Sequence, residues 1–215
     1  MAAPQISDLL AKGRAAFVMT EVQPGVIGLE GPWPPLVEAA NKTNLVANCA
    51  RIAAAARTAG APVFHCTADS LPGSFGASRN TRLTGSARKK GAGERVNSPA
   101  GAAPFPETWE DGDILMPRFN GLSCMHGTAL DQVLRNEGIT TVVVTGVSLA
   151  FGVLSTSIDV VDRGYQLVIP TDAVAGFPED YAKAVVDNTL MMIANLTTTD
   201  AVVEAWTRAG QSAGA

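Results

Sequence analysis

Three polar side chains follow the ends of apolar runs that are typical of buried strands. Glu21 and Gln23 follow the run 15–19, and Arg118 follows the shorter run 113–116. A carboxyl group can give or take a proton, and a guanidinium can hold a carboxylate in a two-point grip. These residue types predict an acid–base site, or a site for a carboxylated ligand.

Further candidates for such a site are a turn after a strand, two aromatic side chains in loops and one histidine. Ser148 and Gly152 follow the β-branched run 139–147. Trp33 and Phe119 lie in loops, where aromatic rings either wall a pocket or pack internally. A histidine in an apolar strand lines a pocket or is a satisfied core residue, and His65, near the end of the strand candidate 61–67, has both interpretations.

The elements that must position these residues alternate between strand and helix. Apolar or β-branched runs at 15–19, 61–67, 113–116, 139–147 and 166–170 predict strands, and helical spacing predicts helices at 35–59, 127–136, 152–163 and 179–196. This alternation is typical of an α/β protein with a parallel sheet and helices on both faces. Ligands of such sheets bind at the carboxyl ends of the strands, where the candidates lie.

The segment 69–111 is rich in Gly, Ser, Pro and Arg and lacks a clear period. A long stretch of this kind is a lid, a binding loop or a mobile segment. It holds the basic cluster 88–90, which is either a solvated face or a contact for an anion or partner. We expect a single domain over 1–215, with a core at about 14–196 and a flexible tail from about 210.

Composition excludes several functional classes. The 215 residues are 47% hydrophobic and 17% charged, which indicates a folded core rather than disorder. The net charge of −4 without a long basic run argues against nucleic acid, and no apolar run approaches the ~20 residues of a membrane span. Three scattered cysteines and no signal sequence predict a reduced, cytoplasmic protein.

The strand ends resemble the isochorismatase-like, or cysteine hydrolase, superfamily. The run 145–147 is Thr-Gly-Val, and after four residues it is followed by Gly152 and then Val-Leu-Ser-Thr-x-x-Asp over 153–159. The family pattern is T-G-V, four variable residues, a cysteine and V-x-S-T-x-x-D. The Gly-Thr-x-Leu of 127–130, the Arg-Gly-Tyr of 163–165 and the Asp-Ala of 172–173 resemble further family landmarks.

The resemblance implies a catalytic triad of Asp, Lys and Cys, and this sequence departs from it at each position. Glu21 stands at the Asp position and Gly152 at the Cys position. The Lys position falls on Arg118, or on Met116 if the alignment is moved. Without the thiol at this position, the chain lacks the nucleophile that covalent amide hydrolysis requires.

The missing cysteine fits a different reaction within the same superfamily. True isochorismatases resemble this chain in carrying Gly there, and they cleave a vinyl ether by protonating its carbon and adding water. In this hypothesis Glu21 supplies the proton and Arg118 holds a substrate carboxylate, with Gln23, His65, Trp33, Phe119 and Ser148 as substrate-binding residues. Two alternatives remain: a pseudoenzyme that only binds, and an amidohydrolase with a relocated thiol, Cys66 or Cys124.

Further expectations follow from the resemblance and from the histidine count. The resemblance implies a three-layer α/β/α fold with about six strands, a cis peptide bond between Val147 and Ser148, and a small-molecule substrate. It also implies a homo-oligomer, dimer or tetramer, for which the alanine-rich stretch 47–56 offers close helix contact. Only His65 and His126 are present, and neither forms a zinc motif with a nearby cysteine, so we expect no metal and no cofactor.

Overall fold

Six parallel strands form one sheet in the computed structural model of the chain, which describes residues 5–11 and 13–211. Their order across the sheet is β3-β2-β1-β4-β5-β6, and each neighbouring pair is parallel. This confirms the predicted α/β class and the six-stranded parallel sheet. The strands are Ala15–Thr20 (β1), Val63–Cys66 (β2), Ile114–Leu115 (β3), Thr141–Gly146 (β4), Gln166–Pro170 (β5) and Asn195–Thr197 (β6).

Helices of very different length connect the strands. The longer ones are Pro34–Lys42 (α3), Leu45–Thr58 (α4), Arg82–Lys89 (α5), Leu130–Asn136 (α8), Leu154–Asp162 (α9), Glu179–Val185 (α10) and Thr199–Gln211 (α12). The short ones are Ile6–Leu9 (α1), Pro24–Ile27 (α2), Ala92–Val96 (α6), Pro99–Ala102 (α7) and Met191–Ile193 (α11). Leu149–Val153 and Val186–Leu190 are π-helical turns that run into α9 and α11.

The sheet separates two apolar cores, which explains why β1 is apolar without alternation. Phe17 and Met19 face the core built with α3, α4 and α12, whereas Ala16 and Val18 face the core built with α8, α9 and α10. Each residue of β1 is buried because both faces of the strand are covered. The strand order reverses between β1 and β4, so the carboxyl ends of these two central strands flank the crevice where such sheets bind ligands.

Two predicted helices differ from the structure. The helix expected at 35–59 is broken at Asn44, whose φ of 49° is left-handed and cannot continue a helix. The helix expected at 179–196 ends before β6, whose three residues are too few to show the two-residue period of a strand. Gly210 and Gln211, expected in a loose tail, belong to α12, and the rest of that tail lies outside the described residues.

The segment 69–111 is folded in the structure. It carries α5, α6 and α7 between short 3₁₀ turns. Thr81 explains the start of α5, because its hydroxyl accepts from the N–H of Thr84 while the hydroxyl of Thr84 accepts from the N–H of Thr81. Among the described residues, no helix has the length and hydropathy needed to cross a bilayer.

Candidate active site

A cleft of about 250 Å³ opens at the carboxyl ends of the central strands, at the reversal of strand order. One side is formed by the segment 69–111, through α5 and α6, and the other by the turn after β4. The residues of the predicted site that line this cleft are Glu21, Trp33, Arg118, Phe119, Ser148 and Gly152. Glu21, Arg118 and Gly152 follow β1, β3 and β4, so segments from three distant parts of the sequence meet in this cleft.

Glu21 is held at the end of β1 by a strained backbone. Its φ is 56°, which is rare for a residue with a side chain, and its N–H donates to the carbonyl of Cys66 at 2.8 Å. The carboxylate pairs with the guanidinium of Arg118. Burial raises the pKa of Glu21 above its ordinary value, and the charge of Arg118 opposes that shift without cancelling it.

Arg118 continues the strand edge beyond β3 and points its charge at Glu21. Its N–H donates to the carbonyl of Thr67 at 2.8 Å, and its terminal nitrogens donate to Glu21 and to the carbonyl of Gly121. The side chain is 92% buried, and its Nε has no partner among the described residues. Of the two candidates for the family Lys position, Arg118 lines the cleft, whereas Met116 packs in the apolar core.

These contacts engage the group for which the sequence predicted a different partner. The sequence predicted that the guanidinium holds a substrate carboxylate at two points. In the structure, one terminal nitrogen is engaged by Glu21 and the other by the carbonyl of Gly121. The fork is therefore used inside the chain, because the buried charge needs acceptors of its own.

Gly152 lies on the π-helical turn after β4, where little room remains for a side chain. A Cβ there would lie 2.9 Å from the carbonyl oxygen of Val147 and 3.2 Å from Cγ2 of Thr20. The Val147–Ser148 peptide bond is cis. The N–H groups of Phe151 and Val153 both donate to the carbonyl of Ser148, at 3.0 and 3.1 Å. These two donors are used within the turn and are not offered to an oxyanion.

Gln23, predicted to bind substrate, is not among the residues that line the cleft. Its side chain is fully buried, and its Nε2 donates to the carbonyls of Gly101 and Ala68 at 2.9 and 3.1 Å. Its Oε1 accepts from the N–H of Ala68 at 2.6 Å. The amide joins the ends of β1 and β2 to the segment 69–111 because it satisfies donors and an acceptor at once.

His65, also predicted to bind substrate, is not among the residues that line the cleft. In β2, Phe64 and Cys66 face one core, and the two-residue period turns His65 toward the opposite side. There its Nε2 lies 2.9 Å from Oδ2 of Asp113, and its ring is 5.1 Å from that of Trp109.

The partly buried Arg57 joins His65, Asp113 and Trp109 in one group, which is named the cluster beneath the sheet. Arg57 donates to both oxygens of Asp113, at 2.9 and 2.6 Å. Burial lowers the pKa of His65, and the hydrogen bonds from Arg57 and His65 hold the pKa of Asp113 low against its own burial. Within the described ranges, no three His, Cys, Asp or Glu side chains are grouped as ligands of a metal ion.

The two thiols considered as relocated nucleophiles are buried and do not line the cleft. Cys66 and Cys124 are 1% and 0% exposed, and Sγ of Cys124 lies 3.8 Å from Oγ1 of Thr20. A hydrogen bond from the thiol of Cys66 to Cys124 raises the pKa of Cys66. Cys124 and His126 lie two positions apart in the sequence. Because His126 is exposed and Cys124 is buried, they do not form a catalytic dyad.

Sequence reasoning missed most of the apolar walls of the cleft. They come from α3, from the turns and loops after β4 and β5, and from the helices of the segment 69–111, which is named the lid because it forms one side of the cleft. The residues are Leu36, Leu83, Ala87, Val96, Phe151 and Phe177. The one usable signal was the Thr81-x-x-Thr84 capping pattern, which marks the start of α5. It predicts a helix but does not say which face meets the cleft.

Comparisons with known proteins agree with this architecture. The model of the isochorismatase domain matches residues 15–201. An uncharacterised isochorismatase family protein of Escherichia coli O157:H7 is 30% identical over 169 residues, which cover 74% of this chain and 78% of that protein. A second one, from Bacillus subtilis, is 29% identical over 121 residues, or 51% of this chain, and the match spans 64% of that protein's length.

The fold is also found among solved structures. A cysteine hydrolase from Pseudomonas syringae pv. phaseolicola superposes with a TM-score of 0.79 at 18% identity, covering 97% of this chain and 100% of that one. At that identity the likeness concerns the fold. Together with the domain match, which covers most of the sequence, it leads to one conclusion: the chain belongs to the isochorismatase family.

Proposed function

We propose that the chain is a hydrolase that works without a cysteine nucleophile, by acid-assisted addition of water to a small substrate. The observation that carries the proposal is the Glu21 carboxyl group at the base of the cleft, whose pKa burial raises. A raised pKa keeps the carboxyl protonated to a higher pH than an ordinary glutamate, as a general acid requires. Gly152, which faces the same cleft, brings no competing thiol.

The chemistry that this arrangement supports is the hydrolysis of a vinyl ether. The proton of Glu21 passes to the terminal carbon of the C=C bond, and the ether-bearing carbon becomes an oxocarbenium ion. Water adds to that carbon, and the resulting hemiketal splits into an alcohol and a carbonyl compound. The proton released in the addition returns to Glu21, so the acid is regenerated.

Arg118 supports the step by its position beside the acid. When Glu21 has given its proton, the new carboxylate faces the guanidinium that already pairs with it. An opposite charge at contact distance stabilises the ionised form in a poorly solvated place. The fixed Arg118 therefore balances the burial of Glu21, and neither the acid nor its anion is strongly disfavoured.

Replacing the proton donor tests the proposal. Isochorismate, a vinyl ether of an acidic alcohol, is the substrate, and the release of the 2-oxo acid is measured. Glu21→Gln keeps the shape of the side chain without an acidic proton, and we expect a loss of about 10²–10⁴-fold in kcat. Glu137→Gln, at an exposed carboxylate after α8, is the control and should retain the activity. Equal rates for wild type and Glu21→Gln would contradict the proposed role.

One observation favours a second candidate, a pseudoenzyme that binds without turnover. Glu21 and Arg118 form an ion pair with each other, so part of the hydrogen-bonding capacity of each is used within the chain rather than offered to a substrate. A binding module retains the cleft and shows no product release from any vinyl ether. The relocated-thiol alternative is disfavoured by the burial of Cys66 and Cys124, and alkylation of the native protein with iodoacetamide should leave any turnover unchanged.

A further inference from the structure

Positive charge is concentrated in the segment that covers the cleft. Residues 79–95 hold six of the 16 Lys and Arg residues and a single acid, in a chain whose net charge is −4. This segment includes α5 and α6, which form one wall of the cleft. The segment that covers the cleft therefore carries a net positive charge in a molecule whose net charge is negative.

Two of these cations line the cleft, whose lining also includes the carboxylates of Glu21 and Asp69. Arg79 and Arg88 both border it, and both are exposed. Over the described part of the chain, neither has a carboxylate within 4.0 Å, whereas Arg95 on the same segment pairs with Glu30 at 3.9 Å. Two free guanidinium groups at one opening form a ready site for a carboxylate or another oxyanion.

The walls between this opening and the base of the cleft are largely apolar. Trp33, Leu36, Leu83, Phe119 and Phe177 line them. Apolar walls with a few polar groups are typical of pockets that hold a hydrocarbon body and orient it by one end. At the base the charge of Arg118 is already paired with Glu21, so the cleft cations without an ion-pair partner in the described ranges are those at the opening.

We propose that the cleft takes an amphiphilic anion, with its hydrocarbon body between the apolar walls and its carboxylate held by Arg79 and Arg88. This names the substrate class and rests on the proposed function only in placing the reacting end of the ligand next to Glu21. Arg79 and Arg88 are then the residues that determine specificity, and they act at the opposite end from the chemistry.

Binding of matched probes tests the anion and the body separately. Calorimetric titration compares 3-phenylpropionate, the neutral 3-phenylpropanamide of nearly the same shape, and propionate, which lacks the ring. We expect 3-phenylpropionate to bind at least tenfold more tightly than either of the others, and its affinity to fall as salt rises. Equal affinity for acid and amide, or no binding of the acid at millimolar concentration, overturns the proposal.

Two double variants distinguish direct contact of the carboxylate with Arg79 and Arg88 from the overall positive charge of the segment. Arg79→Gln with Arg88→Gln removes the charges that line the cleft, and Arg82→Gln with Lys89→Gln removes the same charge from exposed positions of the same segment that do not line it. We expect the first pair to weaken 3-phenylpropionate at least tenfold without affecting the amide, and the second to weaken it less than threefold. Equal losses from both pairs show a diffuse field and overturn the assignment.

The binding test stays independent of turnover. If vinyl-ether hydrolysis is absent while these binding results hold, the proposed reaction fails and the ligand class stands. If hydrolysis is present while the acid binds no better than its amide, the ligand class fails and the reaction stands.

Discussion

At the scale of single residues, the Glu21–Arg118 pair makes the site sensitive to pH. The pKa of Glu21 is raised above that of an ordinary glutamate because the side chain is buried. A general acid acts in its protonated form, so activity should be highest at low pH and fall as pH rises through that raised pKa. The measurement is kcat/KM on isochorismate between pH 4.5 and 9.

The variant Glu21→Asp sharpens this first prediction. The shorter side chain reaches less far toward Arg118, so we expect the alkaline limb of the profile to move and the maximal rate to fall. Glu137→Gln should reproduce the wild-type profile. An activity that increases with pH up to neutrality would instead assign Glu21 the role of a base, and the vinyl-ether step would have to be abandoned.

Gly152 carries the second prediction, which concerns stability. A Cβ at this position would meet the carbonyl oxygen of Val147 at 2.9 Å, closer than a carbon normally approaches. We expect Gly152→Ala to lower the free energy of unfolding by about 1–3 kcal/mol, as overpacking does. Urea unfolding followed by circular dichroism measures the change.

A matched glycine gives the control for this substitution. Gly85 lies within α5, and a Cβ there would meet nothing within 4 Å. Gly85→Ala should raise the free energy of unfolding by about 0.5–1 kcal/mol through helix propensity alone. If Gly152→Ala were as favourable as Gly85→Ala, the turn would have room for the cysteine that the family pattern places there.

The sequence predicted the residues at the strand ends better than their orientation. Glu21, Arg118 and Gly152 line one cleft because the carboxyl ends of parallel strands meet at one edge. Gln23 and His65 were assigned to the same site, yet one satisfies backbone groups and the other faces the opposite core. Which face a strand residue takes depends on register, and a four-residue strand buried on both sides shows no alternation in its sequence.

At the scale of elements, the lid depends on one buried amide, which is the third prediction. Gln23 joins β1 to Ala68 and Gly101 through three hydrogen bonds. Gln23→Glu keeps the size of the side chain but places an acceptor against two carbonyl oxygens. We expect the free energy of unfolding to fall by about 1–3 kcal/mol, which is the cost of leaving buried polar groups without hydrogen bonds.

Local exchange distinguishes a loosened lid from general unfolding. Hydrogen exchange should become faster over 92–102 in Gln23→Glu and remain unchanged in β4. Gln132→Glu, at an exposed position of α8, makes the same chemical change without touching the lid and should exchange as wild type. Uniform acceleration across the whole sheet would show that Gln23 supports the fold rather than the lid.

The sequence predicted the presence of an element where its apolar run is long, but it did not predict the exact residues at which elements begin and end. The runs that gave β1, β4 and β5 stand close to their expected positions. The strand β6 and the lid helices were missed, because three residues or a Gly-rich segment carry too little periodicity. Their positions depend on tertiary contacts, such as the pairing of β6 with β5.

At the scale of the whole molecule, the fourth prediction concerns self-association. The resemblance implies a homo-oligomer and suggested the alanine-rich stretch 47–56 as its contact. In the structure most of the apolar face of α4 is buried within its own chain, against the sheet and α12. We therefore expect light scattering at micromolar concentration to show an oligomer that Ala54→Glu, at an exposed position of α4, leaves intact. A monomeric wild type would contradict the predicted oligomer. Dissociation of the oligomer by Ala54→Glu would show that α4 forms the contact between subunits.

The last prediction concerns the pH dependence of stability, which the cluster beneath the sheet governs. Burial lowers the pKa of His65, so the folded chain keeps its imidazole neutral at a pH where the unfolded chain already binds a proton. The unfolded state then binds more protons below about pH 6.5, and stability falls as pH decreases from there. The slope has an upper limit of about 1.4 kcal/mol per pH unit for one group.

Two other groups act in ways that can be separated from His65. The pKa of Asp113 is held low by Arg57 and His65, so its contribution is present at neutral pH and is lost only at more acidic pH. The raised pKa of Glu21 gives the opposite sign, since that contribution is lost as pH rises. Because Asp113 and Glu21 remain in both proteins, the difference between wild type and His65→Gln isolates the imidazole.

Urea unfolding at several pH values between 5.5 and 8 gives this difference directly. His65→Gln keeps an amide that can donate to Asp113 but cannot take a proton. We expect the stability advantage of wild type to be constant above about pH 7.5 and to shrink below about pH 6.5, where only wild type carries the proton penalty. The chain has two histidines, and His126→Gln, at an exposed ring, should run parallel to wild type throughout. If wild type and His65→Gln also ran parallel across this range, the buried imidazole would not set the pH response.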